Sequence, residues 1–485
     1  MAKMDTATLK FLLVLVGKIP LITRVALLHT LRISAPSKYV DMRTEIVVAV
    51  LRSFSADSTP ISAQQKLLTR DPGIKGRMWI SKYACPAVPV EAGGLQDALA
   101  LAIDGLSSPG TPKFDRAKLP LPAAVEAEWT GRRDDVSSDA KLPDVSQREL
   151  YHEMMKEITT PVTVLFFHGG AYFLMDPVTY RASMKTMAKL TGGRCYSVRY
   201  RLAPQNPFPA ALMDGLASYL ALLYPPPEAF HEVVLPENIV FSGDSAGANL
   251  CLALTQILLE LKRQNARVMW QGEERDVPLP SGLALVSPWV DVTIASQSLS
   301  RHTEFDYLPT HEQQLAMGQK RRACDAWPAT PPRNNIYVED AFISHPLVSL
   351  IMAPRASWAG CPPVYMCTGW ELPAEEDKFL AAKLHAAGVP IVFDEFEAMP
   401  HCFALLFPHT PAALRCWVGL AKFVRKVAEE QGKVQSKFSL IKTKTLFEED
   451  LDPLTLSPWT EDFITERISE FVKTGKFPPA GLAKL

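Results

Sequence analysis

The sequence predicts an α/β fold built on a mostly parallel sheet with helices on both of its faces. Short apolar runs of strand length alternate with segments of helical periodicity. This alternation is typical of parallel sheets, because two parallel strands need a crossover connection that is usually a helix. Glycine-rich turns directly after two of these runs point the same way. The predicted strands are 162–167, 195–200, 239–242, 282–286, 364–368 and 391–396.

A serine stands between the third predicted strand and a helical pattern, in the stretch Gly243-Asp244-Ser245-Ala246-Gly247. A serine between a strand and a helix in this way is held in a strained conformation, with its hydroxyl exposed at the carboxyl end of the strand. The flanking glycines are needed because side chains there would collide as the helix folds back past the strand. We therefore predict that Ser245 is a nucleophile, and an ordinary turn serine is the alternative interpretation.

A second glycine-rich stretch, His168-Gly169-Gly170-Ala171, directly follows the first predicted strand. When a serine attacks a carbonyl group, negative charge develops on the carbonyl oxygen. Backbone N–H groups aimed at that oxygen stabilise it, and the loss of one donor typically costs about 3 kcal/mol. Because consecutive glycines let the main chain approach a substrate closely, the sequence predicts an oxyanion hole formed by the N–H groups of Gly169, Gly170 and Ala246.

A histidine and an acid complete a predicted catalytic triad. His401 lies just beyond the last predicted strand and is the predicted general base, with a purely structural histidine as the alternative. Glu371 follows the fifth predicted strand and is the predicted partner of the histidine. The alternatives for the acid are Glu375, Glu376 and Asp377, but Glu371 lies closest to the strand end. The order nucleophile, acid, histidine is that of the α/β-hydrolase fold.

With these motifs, the chain resembles the hormone-sensitive-lipase-like branch of α/β-hydrolase esterases. The motifs occur in the order of that family between about residues 123 and 427, and their combination is highly specific. The resemblance implies an α/β-hydrolase fold and serine esterase chemistry. The motifs are His168-Gly169-Gly170, the segment from Tyr200-Arg201-Leu202-Ala203-Pro204 to Pro207-Phe208-Pro209-Ala210-Ala211, Gly243 to Gly247, and Ser287-Pro288-Trp289-Val290-Asp291.

Two residues depart from the pattern of that family. Ala171 stands where a third glycine is usual, and we expect little effect, because that glycine is not normally an oxyanion donor. Glu371 stands where an aspartate is usual. Among the other motif residues, Asp244 is predicted to orient the loop that carries the nucleophile. Arg201 and Asp291 are predicted to form structural ion pairs rather than to contact substrate.

Composition excludes several other classes of function. The chain has 485 residues, of which 47% are hydrophobic and 21% charged, so it can bury a large core. A net charge of −1 gives no electrostatic footprint for nucleic acid. Without metal-ligand spacing, a Walker loop or a dinucleotide fingerprint, the sequence predicts neither a metal nor a cofactor. The eight scattered cysteines predict reduced thiols in a cytoplasmic protein.

The chain divides into four predicted regions. Residues 1–120 are predicted to be mostly helical and to form an N-terminal cap or extension. The catalytic core comprises 121–299 and 350–434, and the charged, proline-containing insertion at 300–349 is a candidate lid. Residues 435–485 form a C-terminal extension. Amphipathic helices are predicted at 44–54 and 460–472.

The segment 6–40 contains no acidic residue, and its apolar clusters are separated by basic residues. Because Lys18, Pro20 and Arg24 interrupt it, it lacks the ~20 uninterrupted apolar residues of a spanning helix. No small-residue cleavage site follows its first apolar run, which argues against a signal peptide. Two interpretations stay open. The segment is an interfacial helix on an anionic membrane, or it is a cap helix that covers the active site.

These observations predict a carboxylesterase- or lipase-like serine hydrolase that cleaves small to medium, fairly apolar esters through an acyl-enzyme. One alternative is a biosynthetic amide hydrolase or acyltransferase on the same triad. Another is a non-catalytic ligand-binding protein, since the plant gibberellin receptors resemble this family but lack the catalytic histidine. The presence of His401 favours catalysis. The predicted partners are a small-molecule ester and, through the N-terminal segment, an intracellular membrane surface, with no nucleic acid.

Overall fold

The computed structural model describes residues 16–54, 59–108, 111–319, 321–430 and 433–476. Strands and helices alternate through the middle of the chain. The strands are β1 (Met78–Cys85), β2 (Val125–Arg132), β3 (Thr163–Phe167), β4 (Arg194–Arg199), β5 (Ile239–Asp244), β6 (Val268–Trp270), β7 (Glu273–Arg275), β8 (Gly282–Val286), β9 (Val364–Gly369), β10 (Ile391–Phe396), β11 (Lys437–Ile441) and β12 (Glu448–Asp450).

The helices cover both faces of the sheet and both ends of the chain. Short 3₁₀ helices join them, among them Thr303–Phe305 in the predicted lid. The α-helices are α1 (Ile19–Thr30), α2 (Met42–Phe54), α3 (Ile61–Leu68), α4 (Leu95–Leu106), α5 (Gln147–Met155), α6 (Pro177–Thr191), α7 (Ala210–Leu223), α8 (Ala246–Arg263), α9 (His311–Gln319), α10 (Ala374–Ala386), α11 (Phe403–Leu406), α12 (Pro411–Glu429) and α13 (Glu461–Thr474).

Ten strands form one sheet in the order β1-β2-β4-β3-β5-β8-β9-β10-β11-β12. The strands from β4 to β11 in this order are parallel, whereas β1, β2 and β12 pair antiparallel at the two edges. All six predicted strands are present with small differences at their ends. The predicted fold class is therefore confirmed. Because the carboxyl ends of parallel strands meet at one edge, the loops after β3, β5, β9 and β10 lie close together there.

The central strands are buried on both faces. In β3, Leu165 and Phe167 belong to one apolar core, and Val164 and Phe166 to the other, because successive side chains of a strand point to opposite faces. Helices α4, α7 and α8 cover the first core. Helices α6 and α12 cover the second. This two-sided burial explains why the sequence of β3 is a continuous apolar run.

The sheet extends beyond the predicted catalytic core at both ends of the chain. The regular structure described before residue 120 is mostly helical, but it includes one strand that was not predicted, β1, which pairs with β2 along its whole length. The second half of the edge strand β1 alternates exposed residues such as Lys82 with buried ones, and the strand therefore lacks the continuous apolar run of a central strand. The predicted C-terminal extension likewise contributes β11, which pairs in parallel with β10. The predicted helices at 44–54 and 460–472 are present as α2 and α13.

The N-terminal segment is described from residue 16 onward, so most of its first apolar cluster, 11–16, lies outside the described residues. No residue of α1 is buried. The helix is tied to α2 by a contact of 2.5 Å between His29 Nδ1 and Glu45 Oε2. Within the described ranges, no helix has both the length and the apolar character required to cross a bilayer.

Candidate active site

Ser245 lies in the turn between β5 and α8, in a conformation that non-glycine residues rarely adopt. Its backbone angles are φ 49° and ψ −117°. Such a conformation costs on the order of 1–3 kcal/mol and persists only where surrounding contacts hold it. Here the N–H of Ser245 donates to the carbonyl of Val286 at 3.0 Å, and the carbonyl of Ser245 accepts from the N–H of Trp289 at 3.1 Å. The end of β8 therefore holds the predicted strained turn.

The two glycines of this turn are required by close approach of main chains. A Cβ atom at Gly243 would lie 2.5 Å from the carbonyl carbon of Gly247. A Cβ atom at Gly247 would overlap the carbonyl oxygen of Phe167, at the end of β3. Contacts this short do not occur for real side chains, so only glycine lets α8 start beside β3.

His401 and Glu371 are brought together at the ends of two neighbouring strands. His401 lies in the loop between β10 and α11, and Glu371 lies two residues beyond β9. His401 Nδ1 and Glu371 Oε2 are 2.5 Å apart, and both side chains are buried. The second oxygen of Glu371 accepts from the Thr368 hydroxyl at 2.5 Å and from the Gly369 N–H at 2.8 Å. These bonds fix the carboxylate in place.

The other acids considered for this position have different partners. Glu375 lies 3.3 Å from the Lys378 ammonium, at the start of α10. Glu376 accepts from the Ser296 hydroxyl at 3.0 Å. Asp377 is fully buried beside Thr368, and burial raises the pKa of its carboxyl well above the ordinary value. Of the four acids, Glu371 is the one that the structure brings to His401.

The electrostatics of the His401–Glu371 pair favour its charged form. Burial disfavours the imidazolium, but the Glu371 carboxylate, supported by Asp306 and Asp244, raises the pKa of His401 above its ordinary value. Burial also disfavours the Glu371 carboxylate, yet His401, Thr368 and Gly369 together hold the pKa of Glu371 below its ordinary value. A histidine in this setting is a stronger base than a free imidazole.

The histidine loop is docked on the turn that carries Ser245. The Cys402 thiol contacts Asp244 Oδ2 at 3.7 Å, and the Cys402 N–H donates to the Ser287 hydroxyl at 3.1 Å. Asp244 and Cys402 are the chain neighbours of Ser245 and His401, respectively. The two contacts therefore join the loop of the predicted base to the strand end that leads into the turn of Ser245 and to the segment after β8.

The structure corrects one predicted oxyanion donor. The N–H of Gly169 points at Asp244 Oδ1, to which it donates at 2.8 Å, and it also lies 3.2 Å from the Tyr180 hydroxyl. It is therefore already engaged and cannot serve an oxyanion in this conformation. In the described part of the chain, the N–H groups of Gly170 and Ala171 have no protein acceptor. The expectation that Ala171 is not a donor position is revised accordingly.

Asp244 connects the three loops of the site, which fits its predicted orienting role. Its carboxylate accepts from Gly169, from the Tyr180 hydroxyl at 3.0 Å and from the Cys402 thiol. Burial raises the pKa of Asp244 to about 6, partly offset by these donors. Tyr180 was not predicted from the sequence, because α6 carries it to the site from outside every motif.

Structural ion pairs were predicted for two further motif residues, Arg201 and Asp291, and the contacts of the two differ. Arg201 forms the predicted ion pair, 2.8 Å from Asp214. Asp291 accepts from the Ser296 N–H at 2.9 Å and the Thr293 N–H at 3.0 Å, and so closes a turn after β8. Among the residues that the structure describes, no group of three or more His, Cys, Asp or Glu side chains is arranged to hold a metal ion.

Comparison with known proteins matches residues 164–405 to a family described by its α/β-hydrolase fold. The matched range contains every predicted site residue. An acetyl-hydrolase from Streptomyces hygroscopicus is 28% identical over 270 residues, which cover 55% of this chain and 77% of that protein. An esterase from Acinetobacter venetianus is 29% identical over 272 residues, which cover 56% of this chain and 77% of that protein.

Solved structures support the fold independently. A hormone-sensitive lipase from a metagenome library superposes with a TM-score of 0.51 at 21% identity, over 80% of this chain and 99% of that one. An esterase/lipase from an uncultured bacterium gives a TM-score of 0.51 at 20% identity, over 79% of this chain and 98% of that one. At such identities these similarities concern the fold alone.

Proposed function

We propose, from the premise that the chain belongs to the α/β-hydrolase fold family, that it is a serine carboxylic-ester hydrolase with a Ser245-His401-Glu371 triad. Its relatives include proteins named esterase, acetyl-hydrolase and carboxylesterase. The observation that carries the triad is the 2.5 Å contact between His401 and Glu371, in a loop docked beside the strained Ser245. The substrate class is small to medium, fairly apolar esters.

The proposed reaction proceeds in two halves. The Ser245 hydroxyl attacks the ester carbonyl while His401 takes its proton, and a tetrahedral intermediate forms. The imidazolium then donates that proton to the leaving alcohol, which leaves an acyl-enzyme. Water, deprotonated by His401, attacks the acyl-enzyme and releases the acid. Glu371 holds the tautomer of His401 and stabilises the imidazolium throughout.

For the oxyanion we propose the N–H groups of Gly170, Ala171 and Ala246. Ala246 is the first residue of α8, where backbone N–H groups have no acceptor within the helix. Gly170 and Ala171 have free N–H groups among the described residues, whereas the N–H of Gly169 serves Asp244. In this assignment Gly169 shapes the loop, and the two residues after it bind the developing charge.

Two other functions use the same fold. An amide hydrolase or an acyltransferase would share the triad with an esterase. An amide hydrolase would cleave an added amide, and an acyltransferase would form a new ester with an added alcohol. A ligand-binding protein would keep the pocket without turnover. The contact between His401 and Glu371 favours catalysis over binding alone, because a binding protein has no need of a paired base.

The His401→Ala variant distinguishes the proposed catalytic function from a function in ligand binding alone. We expect ester turnover to fall by a factor on the order of 10⁴ to 10⁶, because the serine loses its base. Affinity for a non-hydrolysable acyl ligand should stay within a few-fold, as measured by calorimetry. His409→Ala, at an exposed histidine near the same loop, is the matched control and should retain activity. A wild-type protein that binds acyl ligands tightly but cleaves no ester, thioester or amide would favour the binding role.

We also propose that α1 lies on an anionic membrane surface. Its apolar residues Ile19 and Leu27 are 53% and 58% exposed, as is Leu31 beside them at 58%. Spacings of eight and four residues place these three on one side of the helix. Arg24 and Arg32 are exposed in the same segment, which has no acidic side chain. Exposed apolar and basic residues together are the features of an interfacial helix.

The membrane proposal predicts that the protein co-sediments with anionic liposomes and is released by high salt or carbonate. Each basic residue near the surface contributes about 1 kcal/mol, so Arg24→Glu with Arg32→Glu should weaken binding strongly. The double substitution Leu27→Ser with Leu31→Ser should weaken liposome binding without loss of esterase activity. Deletion of residues 1–40 should abolish liposome binding. If that deletion leaves sedimentation unchanged but alters substrate selectivity or unfolds the protein, the segment is a cap. Resistance to carbonate extraction would contradict both interpretations.

A further inference from the structure

One carboxylate outside the triad touches the main chain of both triad loops. Asp306 is fully buried in the predicted lid region. Its Oδ1 accepts from the His401 N–H at 3.2 Å, and its Oδ2 accepts from the Leu372 N–H at 2.7 Å. Leu372 directly follows Glu371 in the chain. Asp306 therefore joins the loop of the general base to the loop of the acid.

The hydrogen bonds of Asp306 favour its ionised form. Oδ1 also accepts from the Tyr307 N–H at 2.7 Å, so the contacts that its two oxygens make are with N–H donors. A protonated carboxyl would bring an O–H donor into a site filled by donors. Burial raises the pKa of Asp306 above its ordinary value, and the Glu371 carboxylate adds to this effect, whereas His401 and the backbone N–H groups of Leu372 and His401 work in the opposite direction.

The segment 302–306, which we name the strap, is held from its other side by the N-terminal helices. Arg52 of α2 donates through Nε to the carbonyl of Asp306 at 2.8 Å and through its guanidinium to the carbonyl of Thr303 at 2.7 Å. No motif of the sequence connects Arg52 with the strap, since they lie about 250 residues apart.

Aromatic side chains add contacts between the strap, the loop of Glu371 and the N-terminal segment. Trp370, the residue before Glu371, stacks on His302 with ring centroids 4.2 Å apart. Its ring also lies 5.2 Å from Phe305 and 5.2 Å from Tyr39, which precedes α2. Strap, triad loop and N-terminal segment thus pack as one unit.

We infer that Asp306 is a positioning residue for the His401–Glu371 pair, and that the strap makes the geometry of the triad depend on the docking of α2. The inference rests on the proposed esterase function. It assigns to the N-terminal helices a part in turnover rather than only a cover over the site. A purely structural role for Asp306 would stabilise the fold without altering the titration of the histidine.

Titration of His401 distinguishes these roles. The groups that face it are the carboxylates of Glu371, Asp244 and Asp306, together with the neutral Tyr307 and Cys402. Each carboxylate favours the imidazolium. Removing the charge of Asp306 should therefore lower the pKa of His401. Because the base must be neutral to act, the acid limb of the kcat/KM profile should then move to lower pH.

The experiment compares Asp306→Asn, Asp306→Glu and Arg52→Met with the wild type, using p-nitrophenyl butyrate across the pH range. For Asp306→Asn we expect kcat to fall by about 10²-fold with KM changed less than threefold, because the triad is misplaced while the groups that bind the ester are not altered. The acid limb should move to lower pH. Asp306→Glu keeps the charge and should leave the acid limb in place, with a smaller loss of kcat. Arg52→Met should lower kcat several-fold without changing KM.

A folded Asp306→Asn variant with an unchanged acid limb would overturn the positioning role even if kcat falls, and so would an unchanged kcat. If that variant does not fold, Asp306→Glu tests the positioning role, and an unchanged kcat in it would overturn that role. An unchanged kcat in Arg52→Met would overturn the coupling to α2. Failure of the esterase function itself looks different. In that case the wild type would cleave no ester and would not react with a fluorophosphonate, whereas failure of the inference would leave an active wild type with unaffected variants.

Discussion

We expect Ser245→Ala to lose ester hydrolysis, by a factor on the order of 10⁴ to 10⁶ in kcat, because the nucleophile is removed. The substitution should leave the fold intact. A backbone φ of 49° destabilises serine and alanine to a similar extent, and the main-chain hydrogen bonds that hold the turn do not involve the Ser245 hydroxyl. Initial rates with p-nitrophenyl esters measure the loss of turnover. Circular dichroism and a thermal melt measure whether the fold is retained.

Ser242→Ala is the matched control for this loss. Ser242 lies in β5, which leads into the turn of Ser245, is buried, and donates to the carbonyl of Ala284 at 2.7 Å. Its loss should cost about 1 kcal/mol of stability and leave turnover within a few-fold. Unchanged turnover in Ser245→Ala would show that Ser245 is not the nucleophile and would contradict the proposed mechanism.

Glu371→Gln should lower kcat by about 10⁴-fold, because an amide neither holds the correct tautomer of His401 nor offsets the imidazolium charge. Since His401 Nδ1 is 2.5 Å from Glu371 Oε2, the amide would be placed directly against the ring. Glu371→Asp should keep partial activity, because its shorter side chain retains the charge. Steady-state kinetics with the same esters provide the measurement.

Glu375→Gln and Asp377→Asn serve as controls for the acid. Glu375 pairs with Lys378, and Asp377 is buried beside Thr368, so neither substitution removes the partner of His401. Both variants should retain turnover within about tenfold when folded. If Glu375→Gln or Asp377→Asn lowers kcat by orders of magnitude and Glu371→Gln does not, then Glu371 is not the acid of the triad.

Local patterns of the sequence predicted the sheet well where strands are buried on both faces. Continuous short apolar runs such as those of β3 and β8 are typical of parallel strands buried on both faces. The edge strand β1 escaped prediction, because it mixes Lys82 and Ser81 with apolar residues and gains its partner only through β2. Burial of a residue such as Ser81 is a tertiary property, which no local pattern reveals.

The same distinction applies to the candidate site. The strained turn at Ser245 and the pairing of Glu371 with His401 follow motifs or strand ends, and the sequence identified them. The direction of a single N–H group does not follow from a motif, so the engagement of Gly169 by Asp244 was missed. Asp306 was missed for a similar reason, because its partners are main-chain groups of distant loops.

The central claim is that Ser245 is a nucleophile activated by the His401–Glu371 pair, and peptide mapping of the wild-type protein after treatment with a fluorophosphonate tests it most directly. The account predicts one covalent adduct, located on Ser245, that forms equally well in the presence of a metal chelator and is absent after heat denaturation. It also predicts that the adduct does not form in His401→Ala on the same timescale. An adduct on a different residue, or no adduct on a folded protein, would contradict the account.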